Sequence, residues 1–192
     1  MNNIKTGVGV LIVVDNKVCD VRTVGVLIKN GKILVQRDRN GNEYALPGGH
    51  VRIAETLEDG LIREYKEETG ADIRCVKMLW SEECFWEWNG RVAHNFAFYY
   101  LIDLCDGSEI PDCGEFVSHK DNCDVVIGWM PIEEIQNVVI YPGENPNIGL
   151  DTHGNIYLKS NTQFPVLMGG WKYINDEGQE VQIIDPLTII FE

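Results

Sequence analysis

The chain has 192 residues, 44% of them hydrophobic, which is enough for one domain with a proper core. Its 30 acidic and 16 basic residues give a formal charge of −14, which argues against binding to a nucleic-acid polymer or an anionic membrane surface. No segment approaches the roughly 18 consecutive apolar residues of a membrane-spanning helix.

The N-terminal residues 1–22 contain a β-like segment. Residues 9–12 have the sequence Gly-Val-Leu-Ile, which recurs at residues 25–28. The repeat indicates either an additional hairpin or a coincidence of β-rich composition, and both interpretations stay open.

A hairpin is predicted next. Residues 24–28 and 33–36 are rich in branched apolar side chains, which favour strands. The Asn-Gly pair at positions 30–31 between them is typical of a tight turn that joins two antiparallel strands.

A glycine turn and an amphipathic helix follow. Residues 46–49 have the sequence Leu-Pro-Gly-Gly, a tight turn whose bare backbone can approach a ligand or a metal ion closely. Thr56 is a favourable N-cap, and apolar residues at every fourth position from Leu57 onwards predict a helix. We expect this helix to end at Gly70 in the left-handed conformation.

Three carboxylates occupy one face of the predicted helix. Glu64, Glu67 and Glu68 are spaced i, i+3 and i+4, so their side chains project from nearly the same side. Like charges at this spacing destabilise a helix by roughly 0.2–0.5 kcal/mol per pair unless a cation lies between them. A hard divalent cation with oxygen ligands is the natural occupant, although acidic helical faces are also typical of solvated surface.

The remaining elements complete an α+β pattern. A second Asn-Gly pair separates two strand-like segments, residues 84–88 and 92–102, and predicts another hairpin. Residues 124–130 have the pattern of a strand, and a short helix is predicted over residues 132–138 with Pro131 in its first turn. One long and one short helix among these strands indicate a mixed β-sheet flanked by helices.

The end of the chain is a β-rich extension. Residues 171–174 and 181–184 flank a turn-like segment and predict a further hairpin. No basic helix-turn-helix or other nucleic-acid-binding module is present in residues 143–192. The extension either caps the site, builds a homodimer interface or is purely structural.

The spacing of charged and glycine residues around the helix is the most informative motif. Starting at Gly49, it reads Gly, five residues, Glu, seven residues, Arg-Glu, two residues, Glu-Glu, one residue and Gly. This pattern resembles the Nudix box of the Nudix (MutT-like) hydrolases, and every charged and glycine position of that box is filled. Tyr65 and Ala71 stand where aliphatic residues are more usual, which affects packing and not ligation.

The resemblance implies a fold and a domain organisation. Residues 23–142 correspond to the Nudix core, an α/β/α sandwich with a mixed β-sheet. Residues 1–22 then add an N-terminal strand or hairpin, and residues 143–192 form a β-rich extension packed on the core.

The resemblance also implies a metal site and its support. Mg²⁺ or Mn²⁺, with more than one ion when substrate is bound, is expected at four residues: Glu64, Glu67, Glu68 and, through a backbone carbonyl, Gly49. Glu55 and Arg63 are expected to contact each other and to orient the metal-binding carboxylates.

The reaction implied by the resemblance is hydrolysis of a nucleoside diphosphate linked to another moiety. Water attacks one phosphorus, and two phosphate-containing products leave. The general base is either Glu64 itself or a carboxylate within residues 103–124, where Glu115 is favoured by its position relative to the box. The predicted catalytic set is therefore Glu64, Arg63, Glu55 and Glu115.

Residues that select the substrate are less clearly indicated. Trp86 and Trp88 follow the box, where some family members stack a base, although aromatic residues in a hairpin more often form core or cross-strand pairs. Arg37 is a further candidate for substrate binding. The proline that often marks ADP-ribose-cleaving members is missing, so nucleotide sugars, ADP-ribose-like molecules and nucleoside triphosphates all stay open.

Six cysteines occur without any Cys-x-x-Cys pair, which we interpret as reduced thiols of a cytoplasmic protein. An irregularly spaced zinc site is a conceivable alternative, built from Cys105, Cys113, His119 and Cys123.

The sequence therefore predicts a Mg²⁺-dependent hydrolase of a small nucleotide, with neither a nucleic-acid polymer nor a membrane as partner. The alternative is a non-catalytic module that binds nucleotides with the same loop and helix. The complete acidic set argues against that alternative, because binding alone would not require every metal ligand.

Overall fold

Long paired strands form the centre of the molecule. The structure, a computed structural model, describes residues 9–88, 90–120, 124–138, 140–141, 148–150, 156–158, 166–167, 172–174 and 180–182. Its strands in chain order are β1 Leu11–Val14, β2 Lys17–Lys29, β3 Lys32–Asp38, β4 Tyr44–Ala45, β5 Gly48–His50, β6 Ile73–Trp88, β7 Arg91–Leu104, β8 Glu115–Val117, β9 Val125–Pro131, β10 Ile140–Tyr141, β11 Ile148–Leu150, β12 Ile156–Leu158, β13 Val166–Leu167, β14 Lys172–Ile174 and β15 Glu180–Gln182. Helix α1 spans Leu57–Thr69, and a 3-10 helix spans Ile132–Asn137.

The central sheet is mixed and open. Its main path runs β10-β4-β3-β2-β7-β6-β13, β1 and β5 pair with β2, and β9 joins β3 to β8. The long strands β2 and β7 run parallel, whereas β2–β3 and β6–β7 are antiparallel. Both predicted Asn-Gly hairpins are thereby confirmed.

Helical segments cover both faces of this sheet. On one face, α1 packs Leu61 and Tyr65 onto Leu27 of β2. On the other face, Ile135 of the 3-10 helix packs in a separate cluster with Val26. Val26 and Leu27 are neighbours in β2, so their side chains point to opposite faces. The predicted α/β/α sandwich is confirmed.

Helix α1 begins and ends at its predicted capping residues. The Thr56 hydroxyl accepts a hydrogen bond from the Asp59 N–H at 3.1 Å, and Gly70 has a φ of 75°. Tyr65, which stands where an aliphatic residue is more usual, donates its hydroxyl to the carbonyl of Gly25 at 3.0 Å. A side chain at Gly25 would overlap the Tyr65 ring, so this glycine makes room for the tyrosine.

The start of the short helix after β9 differs from the prediction at one residue. Pro131 is the last residue of β9 and has extended dihedral angles, φ −52° and ψ 134°. The prediction that it lies in the first helical turn is therefore wrong, because the strand continues up to the helix. The short helix itself is present as a 3-10 helix.

The N-terminal strand is part of the central sheet. β1 pairs antiparallel with the beginning of β2: Leu11 lies opposite Asp20 at one end of the pairing, and Val14 lies opposite Lys17 at the other. This pairing confirms the hairpin interpretation of the segment. Because β2 continues through position 22, the added strand extends the core sheet directly.

In the C-terminal extension, β14 and β15 pair antiparallel as the predicted hairpin requires, and β13 pairs with β6. The residues that connect these strands lie outside the described residues, and the three-part division of the chain stays a prediction. Of the helices in the described ranges, none has the length and apolar character needed to cross a membrane.

Candidate functional site

Strand β5 brings the glycine turn against helix α1. Gly48 and Gly49 pair with Val24 and Thr23 of β2. A side chain on Gly49 would overlap the carboxyl group of Glu64, and one on Gly48 would overlap the backbone of β2. The bare backbone of Gly49 therefore allows the Glu64 carboxylate to lie directly on the turn, and that of Gly48 allows the turn to pair closely with β2.

Glu55 and Arg63 form a bidentate ion pair beside the acidic helical face. Arg63 Nε lies 2.7 Å from Glu55 Oε1, and Arg63 Nη2 lies 2.8 Å from Glu55 Oε2. The backbone N–H of Arg52 also donates to Glu55 Oε2, at 2.8 Å. These hydrogen bonds lower the pKa of Glu55, with Arg63 as the main cause, and raise the pKa of Arg63. Both groups therefore stay ionised at neutral pH.

The same guanidinium group orients two carboxylates of α1. Arg63 Nη1 donates to Glu64 Oε1 at 2.6 Å and lies 3.3 Å from Glu67 Oε2. Arg63 Nη2 also donates to the backbone carbonyl of His50 at 3.0 Å. Arg63 thus connects the turn, Glu55 and the acidic face.

The three helical glutamates differ in exposure. Glu64 and Glu68 are buried, with 3% and 5% of their surface exposed, whereas the Glu67 side chain is 34% exposed. Buried carboxylates require compensating charge, because their desolvation is otherwise costly. For Glu64, this charge comes from Arg63 and Lys120.

Two of the compensating cations were not singled out from the sequence. Lys120 Nζ bonds to Glu64 Oε2 and lies 3.2 Å from Glu67 Oε2, and Arg52 Nη2 lies 3.1 Å from Glu67 Oε1. Burial would lower the pKa of Lys120, but its bonds to Glu64 and Glu67 raise it. Burial likewise would raise the pKa of Glu67, but Lys120 lowers it. The sequence indicates only that buried glutamates need neighbouring cations, and it does not indicate which lysine or arginine supplies them.

The donor set fits a hard divalent cation. Carboxylate oxygens are the ligands that Mg²⁺ prefers. Because Gly49 has no side chain, the backbone of the glycine turn also lies against the carboxyl group of Glu64. A cation, the ammonium group of Lys120, already bridges Glu64 and Glu67. Within the described ranges, no three acidic, histidine or cysteine side chains are arranged as the ligands of one metal ion. Lys120 contacts the Oε2 atoms of both Glu64 and Glu67.

Glu115 and Arg37 pair with each other away from this face. Arg37 Nε and Nη2 lie 2.9 Å and 2.6 Å from the two carboxylate oxygens of Glu115. Phe116, the next residue of β8, packs in the same cluster as Leu61 of α1. Because neighbours in a strand alternate, Glu115 points to the opposite face of the sheet. The structure does not bring Glu115 to Glu64, and its assignment as general base stays a prediction.

Arg37 and Glu115 line a cleft of about 250 Å³. Tyr44 of β4 adds aromatic surface to its wall, which β9 also lines at Gly128 and Met130. Tyr44 precedes Gly49, the last residue of the glycine turn, by five residues. Their Cα atoms are therefore at most about 18 Å apart, the length of a fully extended chain of that size. Tyr44 thus connects one end of the cleft to the chain segment that leads into the glycine turn.

The other predicted substrate residues, Trp86 and Trp88, lie in β6, and their side chains are outside the part of the chain that the structure describes. The same holds for Cys123 of the conceivable zinc site. The described cysteines carry free thiols, namely Cys19, Cys75, Cys84, Cys105 and Cys113.

Fold and site together define a class of protein. An open mixed sheet lies between helical layers, and an acidic helix with its arginine packs on a glycine turn, which is the arrangement of a Nudix α/β/α sandwich. The chain belongs to the NUDIX domain family, whose model matches residues 20–148. The family resemblance derived from the box is confirmed.

Individual relatives match parts of the chain. An ADP-ribose pyrophosphatase of Methanocaldococcus jannaschii is 45% identical over 86 residues, which cover 43% of this chain and 50% of the relative. Nudix hydrolase 5 of Arabidopsis thaliana is 28% identical over 144 residues, or 72% of this chain and 44% of the relative. The chain thus spans about half the length of these curated relatives. A MutT protein structure from Methanosarcina mazei Go1 is 18% identical, with a TM-score of 0.45, and the match covers 68% of this chain and 88% of that one.

Proposed function

We propose that this protein is a metal-dependent hydrolase that cleaves the pyrophosphate bond of a nucleoside diphosphate derivative by attack of water on phosphorus. The observation that carries the proposal is the arrangement of Arg63, which holds Glu55 and Glu64 in fixed positions over the glycine turn. A purely structural acidic helix would not require a buried glutamate against a turn without side chains.

The metal-binding residues in this proposal are Glu64, Glu67 and Glu68, with a backbone carbonyl near Gly49. A bound Mg²⁺ or Mn²⁺ would neutralise diphosphate oxygens and lower the pKa of a water molecule. Arg63 fixes the Glu64 carboxylate through Oε1 and leaves Oε2 directed at the cation site, where Lys120 now bonds. The general base in this proposal is Glu64, because Glu115, the alternative from the sequence, is paired with Arg37 on the opposite face of the sheet.

The nucleoside part of the substrate is assigned to the cleft lined by Tyr44 and Arg37. Aromatic rings offer stacking surface for a base, and a guanidinium offers paired donors for a base edge or phosphate. The name of the archaeal relative, an ADP-ribose pyrophosphatase, supports a nucleotide linked to a sugar as substrate class. Nucleoside triphosphates remain the second substrate class to test.

The setting of the reaction is also part of the proposal. The net charge of −14 favours a small nucleotide over a nucleic-acid polymer or an anionic membrane surface. Free thiols at the described cysteines fit the reducing cytoplasm. A homodimer built by the added β-strands is an assembly that sedimentation would detect.

A substrate panel tests this function. Nucleotide sugars, ADP-ribose, dinucleoside polyphosphates and nucleoside triphosphates are incubated with the protein and Mg²⁺ or Mn²⁺, and phosphorylated products are separated by ion exchange. We expect hydrolysis of at least one member, with two phosphate-containing products and loss of turnover in EDTA. No hydrolysis of any member, together with measurable nucleotide binding, would favour the non-catalytic module instead.

A further inference from the structure

The ammonium group of Lys120 occupies the centre of the acidic face. Its Nζ bonds to Glu64 Oε2 and lies 3.2 Å from Glu67 Oε2. The Lys120 side chain is 38% exposed, whereas the Glu64 side chain is only 4% exposed. The lysine therefore reaches from the surface into the site and covers a buried carboxylate.

The backbone around Lys120 is attached to helix α1. The N–H of His119 donates to the carbonyl of Glu68 at 2.9 Å, and the N–H of Ser118 donates to the carbonyl of Val125 at 2.9 Å. The His119 ring also lies against Gly70, where a side chain would come within 3.2 Å of it. These contacts aim Lys120 at the acidic face from the C-terminal end of the helix.

A divalent ion and the lysine cannot use the same oxygens. Mg²⁺ would be held by the carboxylates of Glu64 and Glu67, and Lys120 already contacts the Oε2 atoms of both. Two like charges held by the same oxygens repel strongly in a partly buried site. Lys120 must leave for the ion to enter.

The other cations can stay in place when the lysine leaves. Arg63 binds Glu64 through Oε1, and Arg52 binds Glu67 through Oε1. Lys120, in contrast, binds the Oε2 atoms of both glutamates. Removal of Lys120 therefore releases Glu64 Oε2, whereas Glu67 Oε2 keeps its contact with Arg63 Nη1 at 3.3 Å. The arginines keep both carboxylates oriented.

We propose that Lys120 is an internal counter-ion that a divalent metal must displace, so that it weakens metal binding and couples filling of the site to release of the segment Ser118–Lys120. The inference rests on the proposed function, because it concerns the same metal site. Without metal, Lys120 supplies part of the charge that compensates the buried Glu64, and a bound metal would take over this role.

Titration with Mn²⁺ in the absence of substrate tests the inference. Free Mn²⁺ is followed by electron paramagnetic resonance for the wild type, Lys120→Gln, Lys120→Arg and the matched control Lys29→Gln, whose lysine forms an exposed pair with Asp112. We expect Lys120→Gln to bind Mn²⁺ about five- to tenfold more tightly, at the lower end of typical coupling between two sites. Lys120→Arg keeps the cation, and both it and Lys29→Gln should stay within about twofold of the wild type.

Amide hydrogen exchange supplies the second readout. Saturating Mn²⁺ should accelerate exchange of the His119 amide, which is bonded to Glu68, in the wild-type protein. Equal or weaker Mn²⁺ binding by folded Lys120→Gln overturns the inference, as does unchanged His119 exchange. If Lys120→Gln does not fold, the Lys120→Arg variant decides. Mn²⁺ binding by Lys120→Arg that is tighter than in the wild type overturns the inference, and an Mn²⁺ affinity equal to that of the wild type supports it. Absence of Mn²⁺ binding to the wild type would instead refute the metal site of the proposed function.

Discussion

Arg63 is the side chain on which the geometry of the site depends. Its three nitrogens contact Glu55, Glu64, Glu67 and the carbonyl of His50. A planar guanidinium can make these contacts simultaneously because its five N–H donors point in fixed directions. A lysine at this position would keep the charge and lose the bidentate contact with Glu55.

We therefore expect Arg63→Lys to lower kcat/KM by about 10- to 100-fold, as residues that orient metal ligands commonly do. Circular dichroism should show an intact fold, because the substituted side chain still carries its charge. Arg74→Lys is the matched control, since Arg74 forms an exposed pair with Asp103 and should change little. Full activity of Arg63→Lys would contradict the assigned role.

Glu82 is a carboxyl group with a different environment. It lies in β6 and accepts a hydrogen bond from the Tyr99 hydroxyl at 3.0 Å. Burial raises the pKa of Glu82 to about 7, although the Tyr99 hydrogen bond acts in the other direction. Between pH 4.5 and about 7 the native state then binds more protons than the unfolded state. The free energy of unfolding must therefore fall as pH rises through this window.

Glu82→Gln should remove most of this pH dependence. The amide cannot ionise, and its carbonyl can still accept from Tyr99, so the variant should be more stable than the wild type at pH 8 by about 2 kcal/mol. At pH 4.5 the two proteins should be nearly equal in stability. Urea unfolding at both pH values measures the difference, with Glu133→Gln as an exposed control. If the difference in free energy of unfolding between the variant and the wild type is the same at pH 8 and at pH 4.5, this explanation is ruled out.

At the scale of elements, helix α1 is the part of the site that local sequence determines. Its cap residues, apolar stripe and acidic spacing are all short-range features, and each is present at its predicted place. The Thr56 hydroxyl accepts from the Asp59 N–H and donates to the Asp59 carboxylate at 2.7 Å. This reciprocal cap sets the first residue of the helix that carries Glu64.

Thr56→Ala should therefore lower the free energy of unfolding by about 1 kcal/mol, the usual contribution of an N-cap side chain. Thr56→Ser keeps the hydroxyl and should retain most of the stability. Urea unfolding of the three proteins decides the matter. Equal stability of the alanine and serine variants would show that the cap contributes nothing here.

Contacts between distant segments mark the limit of prediction from the sequence. The glycine turn follows from local sequence, and the pair Glu55–Arg63 is what the family resemblance implies for two residues close together in the chain. Lys120 reaches Glu64 from 56 positions away, and Arg37 reaches Glu115 from 78 positions away. No periodicity encodes such contacts, since they depend on how strands β3, β8 and β9 pair.

For the whole molecule, a net charge of −14 makes cations a general source of stability. A specific metal site adds a further stabilisation that levels off once the site is filled. A metal ion that binds only the native state raises the free energy of unfolding by about 2.7 kcal/mol when its concentration is one hundred times its Kd. We expect saturating Mg²⁺ or Mn²⁺ to raise the Tm of the wild type by about 5 °C. Glu64→Gln should lose most of this shift, whereas Na⁺ at equal ionic strength should not reproduce it.

The central claim is that the carboxylates of α1 form the metal-dependent catalytic centre, and turnover of Glu64→Gln tests it most directly. Hydrolysis of the best panel substrate is measured at saturating Mg²⁺ for the wild type and for the variant, whose fold is checked by circular dichroism. We predict a loss of about 10³-fold or more in kcat, because the variant lacks a buried charge at the site where charge is stabilised in the transition state. A folded Glu64→Gln protein with wild-type turnover would contradict the claim.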